Sequence, residues 1–456
     1  MEVRKIIILF ILVFLSRSVF CNSFDLLSVR KWGMGGTGVA MEGDYSTIFS
    51  NPAASYFCGR NQFGISYSKL YEDIGFAGLG LIVPTAKLGG FGMGVSMFDY
   101  GDFSRRSESG SKIGEFSRMD NTFLVSYAYG IGPVSFGINL KHRQVNLETI
   151  TKESGVSFDF GVFYKNDLFN LGLSVADPGG WKIGENNIAN PEMKAGIAIK
   201  PVKSLSIYSD LGFPNYKIAQ KYSLGIEWEF VQRYFLRAGV SYQSNLSMLF
   251  TAGFRIPIKR MWGFEYSFIS NTELGNRHFA SIYFEFGKNM ELLRKVNLSR
   301  KEVKKYQKKI VKKYRIAVLD FDTTDLNIEE TLLLSELFRA QIVNTELCLV
   351  VERGEVEKIL QEHKLGMMGI TKEDILEIGK FLPADFIVSC SISRIKGTYY
   401  FRAKMLHIQS GEFIAVVNEE CADIKNEGYY VTELLANYLA VESYRKLKEK
   451  LMYEMQ

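Results

Sequence analysis

From Gln62 to Gly287, large apolar side chains alternate with small or polar ones along successive short segments. Val134, Phe136, Ile138 and Leu140 interleave with Ser135, Gly137, Asn139 and Lys141, and Leu224, Ile226, Trp228 and Phe230 interleave with Ser223, Gly225, Glu227 and Glu229. A period of two is the signature of a strand, whose successive side chains point to opposite faces. The segments start near Gln62, Ile74, Leu88, Met119, Pro133, Ser154, Leu168, Pro191, Lys203, Ala219, Arg233, Ser247, Arg260 and Arg277. Links after odd-numbered segments are often long and polar (101–118, 177–190, 212–218, 271–276), and links after even-numbered ones are mostly tight (130–132, 165–167, 200–202, 231–232). Long connections on one side and short ones on the other mark a membrane-spanning antiparallel barrel. A sheet in hydrocarbon must also close, because no water is there to satisfy a free edge. The expected fold for 61–287 is a membrane β-barrel of about 14 antiparallel strands, with a secreted sandwich as the alternative. An even strand number returns both barrel ends to one side.

Beyond Lys288 the pattern changes. Strands are expected at 315–320, 347–351, 385–393, 399–407 and 413–420, and helices at 328–344, at 353–363, from Thr371 with Asp374 in a capping-box position, and from about Tyr430. The segment 315–456 therefore reads as an α/β domain, with helices on at least one face of its strands. Between the two parts lies a basic helical linker, 288–314. Val296, Val303 and Ile310 recur every seven residues with Leu292 and Tyr306 between them, a weak apolar stripe opposite a face bearing Lys301, Lys304, Lys305, Lys308, Lys309, Lys312 and Lys313. Such a helix is expected to be a solvated spacer, or else to lie on anionic headgroups or an acidic partner.

Charge sharpens this division. The chain has 456 residues and a net charge of +5, yet 288–315 alone carries twelve basic and two acidic side chains, so the rest sums to −5. A basic balance this local excludes a nucleic-acid-binding surface spread over a domain. At the N-terminus, Arg4 and Lys5 precede an apolar run over 6–15 that is too short to span a bilayer, so residues 1–21 are expected to be a signal peptide directing export. Phe20 is bulky where a lipoprotein signal has a small residue, which disfavours lipidation at Cys21.

Candidate chemistry is sparse. Cys58, Cys348, Cys390 and Cys421 form no CxxC and no Cys/His cluster, so buried free thiols are expected, with no metal. Asp320, Asp322 and Asp325 share a loop, with His363 and His407 elsewhere; without a nucleophile or a third ligand they read as a solvated turn after a strand. Glu352 and Arg353 read as helix-capping or ion-paired residues. No catalytic residue and no cofactor is expected.

Residues 22–60 form a glycine-rich plug, with WGMGGTGVA followed by SNPAA. Gly33, Gly35 and Gly38 satisfy GxGxxG, but no strand precedes and no βαβ unit follows, so a dinucleotide site is rejected. GMGGTGVA with SNPAA resembles the N-terminal hatch of FadL-type fatty-acid transporters and of the PorV/PorQ proteins of type IX secretion. The resemblance implies a fourteen-stranded outer-membrane barrel in which Gly35, Gly36, Thr37 and Gly38 turn within the lumen and Asn51, Pro52 and Ala53 lead into the first strand. Inward polar positions such as Lys141, Asp159, Glu227, Glu229, Arg255 and Glu265 favour the PorV/PorQ branch, which implies binding of secreted cargo or secretion subunits. The alternatives are a channel for hydrophobic compounds and a cell-envelope scaffold anchored by the barrel. Tyr283, Phe284 and Phe286 resemble the aromatic-ended signal of a closing strand. IAVLDFDTT, VVERGEVEKILQEHKLGMMGI and PADFIVSCSISRIKGTYYFRAKMLHIQSGEFIAVV resemble the CsgG-like periplasmic fold, akin to the N-terminal domain of TolB and to lipoprotein activators of penicillin-binding proteins. That likeness implies a periplasmic module with a protein partner, although the long hairpins of a CsgG pore are missing.

Overall fold

The computed structural model describes residues 28–454 apart from 72–73, 107–111, 148–150, 184–185, 217–220, 244–245, 260, 271–274, 311–312, 364–373, 375–376, 378 and 396. The signal peptide, Cys21, Lys312 and the helix start at Thr371 lie outside the described residues. The chain forms two compact units, Met1–Met290 and Glu291–Gln456.

The first unit opens with helix α1 (Val29–Trp32) and two 3₁₀ turns, Tyr45–Phe49 and Pro52–Phe57. Each starts on a side-chain cap: Ser28 accepts from Lys31 N, Asp44 from Ser46 N, and Asn51 from Ala53 N ahead of Pro52. The strands that follow are β1 (Asn61–Tyr71), β2 (Ile74–Pro84), β3 (Gly90–Arg106), β4 (Lys112–Ile131), β5 (Val134–Leu147), β6 (Thr151–Lys165) and β7 (Phe169–Ala176). A hairpin of β8 (Trp181–Ile183) and β9 (Asn186–Ala189) precedes β10 (Glu192–Val202), β11 (Leu205–Pro214), β12 (Lys221–Val231), β13 (Tyr234–Gln243), β14 (Leu246–Lys259), β15 (Trp262–Ser270) and β16 (Arg277–Phe286). Apart from the hairpin, these strands form one closed antiparallel barrel of fourteen, sealed where β1 pairs with β16, Asn61 opposite Phe286.

Most predicted strand starts fall within two or three residues of the observed ones. The link expected at 101–118 does not: Asp102 pairs with Ser117 and Arg105 with Gly114, so β3 and β4 continue as a ladder. The sequence there is largely polar and carries no apolar alternation, but a backbone ladder needs no apolar face. The expected 177–190 link likewise contains the β8–β9 pair. A tilted strand crosses a bilayer in about 9–11 residues, whereas β3, β4, β5 and β6 have 17, 20, 14 and 15. Their excess length rises as a wall at the barrel end opposite Asn61 and Phe286.

The second unit contains a five-stranded sheet, order β18-β17-β19-β20-β21, built from β17 (Tyr314–Asp322), β18 (Cys348–Val350), β19 (Phe386–Ile395), β20 (Thr398–His407) and β21 (Phe413–Cys421). β18, β17 and β19 run parallel, and β19, β20 and β21 antiparallel. Its helices are α2 (Met290–Gln307), α3 (Ile328–Thr345), α4 (Arg353–Glu362) and α5 (Ile424–Glu454). Strand β17 is buried on both faces: Ile316 and Val318 join a core with Phe338 of α3 and Leu434 and Leu435 of α5, while Ala317 and Leu319 join Val356 and Leu360 of α4.

The basic helix is part of this core and not a solvated spacer. Leu292 and Val296 of α2 enter the cluster with α3 and α5, and Val303 packs with Leu347 and Ala440, flanked by Tyr306 and Ile310. Asn437 Nδ2 donates to Ser299 Oγ at 3.0 Å, Arg300 Nη2 to Glu433 Oε2 at 2.8 Å, and the Tyr444 hydroxyl to Lys309 O at 2.7 Å. Contacts advance in step along both chains, so α2 and α5 lie parallel. The heptad stripe is thus consumed by the domain itself.

Candidate functional site

The barrel is apolar outside and polar inside. Phe136, Leu140, Ile226 and Trp228 are exposed on the outer face, while Ser135, Asn139, Lys141 and Glu227 are buried on the inner one. A water-soluble sandwich would reverse this arrangement, so the wall is built to face hydrocarbon. Among the described residues no helix is long and apolar enough to cross a membrane.

The lumen is occupied by residues 28–58. The inner wall makes room for them with glycines that face each other on adjacent strands. Gly225 on β12 lies opposite Gly239 on β13, and a Cβ on Gly239 would sit 2.3 Å from Gly35 N. Gly137 on β5 lies opposite Gly161 on β6; Cβ atoms there would meet Ala53 N at 2.3 Å and Asn51 Oδ1 at 2.1 Å. Real Cβ contacts do not approach so closely, so plug backbone at Gly35 and Ala53, and the Asn51 side chain, rest directly on backbone of the wall.

The sequence-selected plug residues meet in this seat. Gly35 and Gly36 have φ of +69° and +81°, the left-handed region open to glycine, and Gly35 N donates to Thr251 Oγ1 at 2.8 Å. Gly33 packs on Gly253, Thr37 Oγ1 donates to Met34 O at 2.9 Å, and the backbone N–H groups of Gly38 and Val39 donate to Asp210 Oδ2 at 2.7 and 3.0 Å. Asn51 Nδ2 donates to Val39 O at 2.9 Å and Val162 O at 3.1 Å; Pro52 starts the second 3₁₀ turn; Ala53 O accepts from Ser135 Oγ at 2.8 Å.

Charges tie plug to wall. Arg30 in the plug contacts Glu227 through Nε at 2.9 Å and Nη2 at 2.5 Å. Glu227 also accepts from Arg237 Nε at 2.7 Å, and Arg237 Nη2 reaches Glu265 at 2.9 Å. Arg255 Nη2 meets Glu285 at 2.6 Å and Arg233 Nη2 meets it at 3.0 Å. Glu42 is held between Lys165 and Lys200. On the opposite wall, Lys141 Nζ bridges Asp159 at 2.5 Å and Asp177 at 2.6 Å, with the fully buried Trp181 ring 5.0 Å away. The inward charges named from sequence are therefore members of paired networks, and Glu229 accepts from Arg233 N at 2.6 Å. Asp210, Thr251 and the glycine girdle were missed; glycines at the inward phase of neighbouring strands are the signal that could have found them. In the closing strand, Phe284 and Phe286 face outward, and Tyr283 faces inward beneath the Arg255 guanidinium, 3.7 Å from its ring centre.

In the second unit the three aspartates diverge. Asp320 is buried between Arg339 and Arg353, Asp325 Oδ2 accepts from Arg394 N at 2.7 Å, and Asp322 lies exposed. Arg353 also reaches Glu336 at 2.6 Å and Glu357 at 2.7 Å, so it ties α3, α4 and β17 together. His407 Nδ1 lies 2.9 Å from Ser410 Oγ, a turn contact, and the His363 ring lies tilted against Phe381 with centroids 4.7 Å apart. Among the described residues no cluster of His, Cys, Asp or Glu could hold a metal. All four cysteines described are free thiols; burial pushes Cys348 and Cys421 up to about 12, and Cys390 upward as well. Lys301, Lys304, Lys305, Lys308, Lys309 and Lys313 are exposed.

These features define a plugged bilayer barrel followed in the chain by an α/β domain. Residues 301–396 match the family of the curli production assembly/transport component CsgG, a match that begins inside the basic helix. No curated protein matches the chain in sequence. Solved structures similar to the barrel include the toluene transporter TbuX of Ralstonia pickettii (11% identity, TM-score 0.45, 58% of this chain and 100% of that one). A FadL homologue of Pseudomonas aeruginosa is similar at 11% identity and TM-score 0.40, over 57% and 98%. The LpoB C-terminal domain of Salmonella enterica is similar at 16% identity and TM-score 0.23, over 27% and 96%.

Proposed function

We propose that this protein is a non-enzymatic outer-membrane barrel of the PorV/PorQ type that acts in protein secretion or surface attachment. In this reading the tall wall of β3 to β6 binds cargo outside the cell, and the α/β domain recruits a protein partner in the periplasm. The observation that carries it is the filled lumen. Every barrel strand is paired with both neighbours, and the plug is seated on wall glycines and joined to wall charges through Arg30 and Glu227. A platform needs such rigidity; a conduit would have to break it. A second reading, passage of hydrophobic compounds, draws on one specific feature: Phe76, Phe98, Leu124, Ile269 and Phe279 form an apolar cluster inside the barrel with Trp32 and Phe49 of the plug.

Cross-linking in cells through a photoreactive residue at Phe103, exposed on the tall wall, followed by purification from outer membranes, tests the first reading. Recovery of secreted protein or secretion subunits is expected. Recovery of neither, together with loss of hydrophobic-compound uptake on deleting the protein, would transfer the assignment to the second.

A further inference from the structure

The structure leaves one strongly charged surface without a role. Helix α2 turns its apolar stripe, Leu292, Val296 and Val303, into the domain core. At about 100° per residue, Lys301 and Lys305 stand on the opposite side with Lys304 at its flank, and Lys308 and Lys309 follow in the turn just past the helix end at Gln307. These five side chains are exposed and make no ion pair among the described residues. Because α5 runs parallel to α2, with Tyr444 against Tyr306 and Lys309, its last turns bring Arg445, Lys446 and Lys448 to the same end of the domain. Glu442 takes up Arg445 and Lys446, leaving Glu302, Glu346 and Glu449 as nearby carboxylates outside any ion pair among the described residues, fewer than the five lysines.

We infer that this face of α2 and the end of α5 is a docking surface for the anionic headgroups of a phospholipid leaflet. Packing of the stripe fixes the helix, so the ammonium groups are presented as a preformed array whose long stems can follow a flat charged surface. Leu298, 61% exposed, projects from the same side, about one turn before Lys301 and about two before Lys305. An exposed leucine among lysines suits shallow insertion at an interface. In sequence, the helix begins four residues after β16 ends at Phe286, and the lysine face occupies its second half and the turn that follows. The helix docks through charge and one side chain, its stripe being already buried.

The test is amine-reactive footprinting of the full chain reconstituted in nanodiscs. In discs containing phosphatidylglycerol, labelling of Lys301, Lys304, Lys305, Lys308 and Lys309 is expected to fall about fivefold relative to phosphatidylcholine discs, as for a lysine held at an anionic surface. Lys425, exposed at the start of α5, is expected to label equally in both, and raising salt to about 0.5 M is expected to restore labelling. Lys304→Gln with Lys305→Gln and Lys308→Gln is expected to return Lys301 and Lys309 to full labelling. Equal labelling in both discs would overturn the proposal. So would protection in phosphatidylcholine discs by inorganic phosphate alone, which would assign a free-anion site, or protection that needs an added acidic protein. None of these readouts involves cargo, so failure here is distinguishable from failure of the proposed function.

Discussion

Arg30 of the plug and Glu227 of β12 make a two-point contact across the lumen, Nε to Oε2 at 2.9 Å and Nη2 to Oε1 at 2.5 Å. Both side chains are almost fully removed from water. Glu227 also receives Arg237, so one carboxylate serves two guanidinium groups. Removing its charge leaves Arg30 with Asp44 at 4.0 Å as its remaining carboxylate and Arg237 with Glu265. Breaking a buried pair from one side costs about 3–5 kcal/mol. Glu227→Gln is therefore expected to lower the temperature at which the folded barrel converts to its unfolded gel mobility, and to raise single-channel conductance as the plug loosens. Unchanged conductance with lowered stability would show that the glycine seat holds the plug without the charge.

Gly239 tests that seat directly. A Cβ there would lie 2.3 Å from Gly35 N and from Met34 C, and backbone cannot swing away as a flexible side chain can. Gly239→Val is expected to cost about 1–3 kcal/mol or more by overpacking and to displace the plug, read as protease cleavage within 33–54 of the reconstituted protein. Gly75→Ala, where nothing lies within 4 Å of the new methyl group, is expected to leave cleavage unchanged.

Val296 separates a docked helix from a spacer. Its side chain is 1% exposed in the core shared with α3 and α5. Val296→Asp would bury an unpaired carboxylate, a penalty of several kcal/mol, and is expected to release α2, seen as proteolysis between Met290 and Tyr314 and a lower melting temperature of the α/β domain. Lys301→Asp, on the exposed side of the same helix, is expected to change neither.

The wall of the barrel was legible in the sequence because the bilayer imposes a two-residue period on every spanning strand. Val134 to Lys141 could be read one residue at a time. Where the bilayer ends the period ends, so Asp102 to Arg106 read as a loop although its backbone ladder persists. The plug motif was visible, but its seat was not, since the meeting of Gly35 with Val240 and of Asn51 with Gly161 joins residues roughly a hundred or more positions apart. The stripe of α2 was visible too. What covers it was not, because Glu433, Asn437 and Ala440 belong to a helix whose own apolar positions surround it on several sides.

Glu336 gives the α/β domain a pH dependence of known sign. Partial burial pushes its carboxyl up, but the hydrogen bond from Arg353 and the charges of Arg339 and Arg353 outweigh this and hold it below its ordinary value of 4.5. A carboxylate more acidic in the folded than in the unfolded chain contributes stability that is fully present above the unfolded value and is lost as pH falls through the folded one. The contribution is modest, because the side chain is about half exposed and water screens the pair. The domain's melting temperature is expected to hold between pH 7 and about pH 5 and to decline below that, with the decline reduced in Glu336→Gln. That variant is also expected to lose the salt sensitivity of the Arg353 contact at neutral pH. An identical acid limb in wild type and Glu336→Gln would place the acid-sensitive interaction elsewhere in the domain.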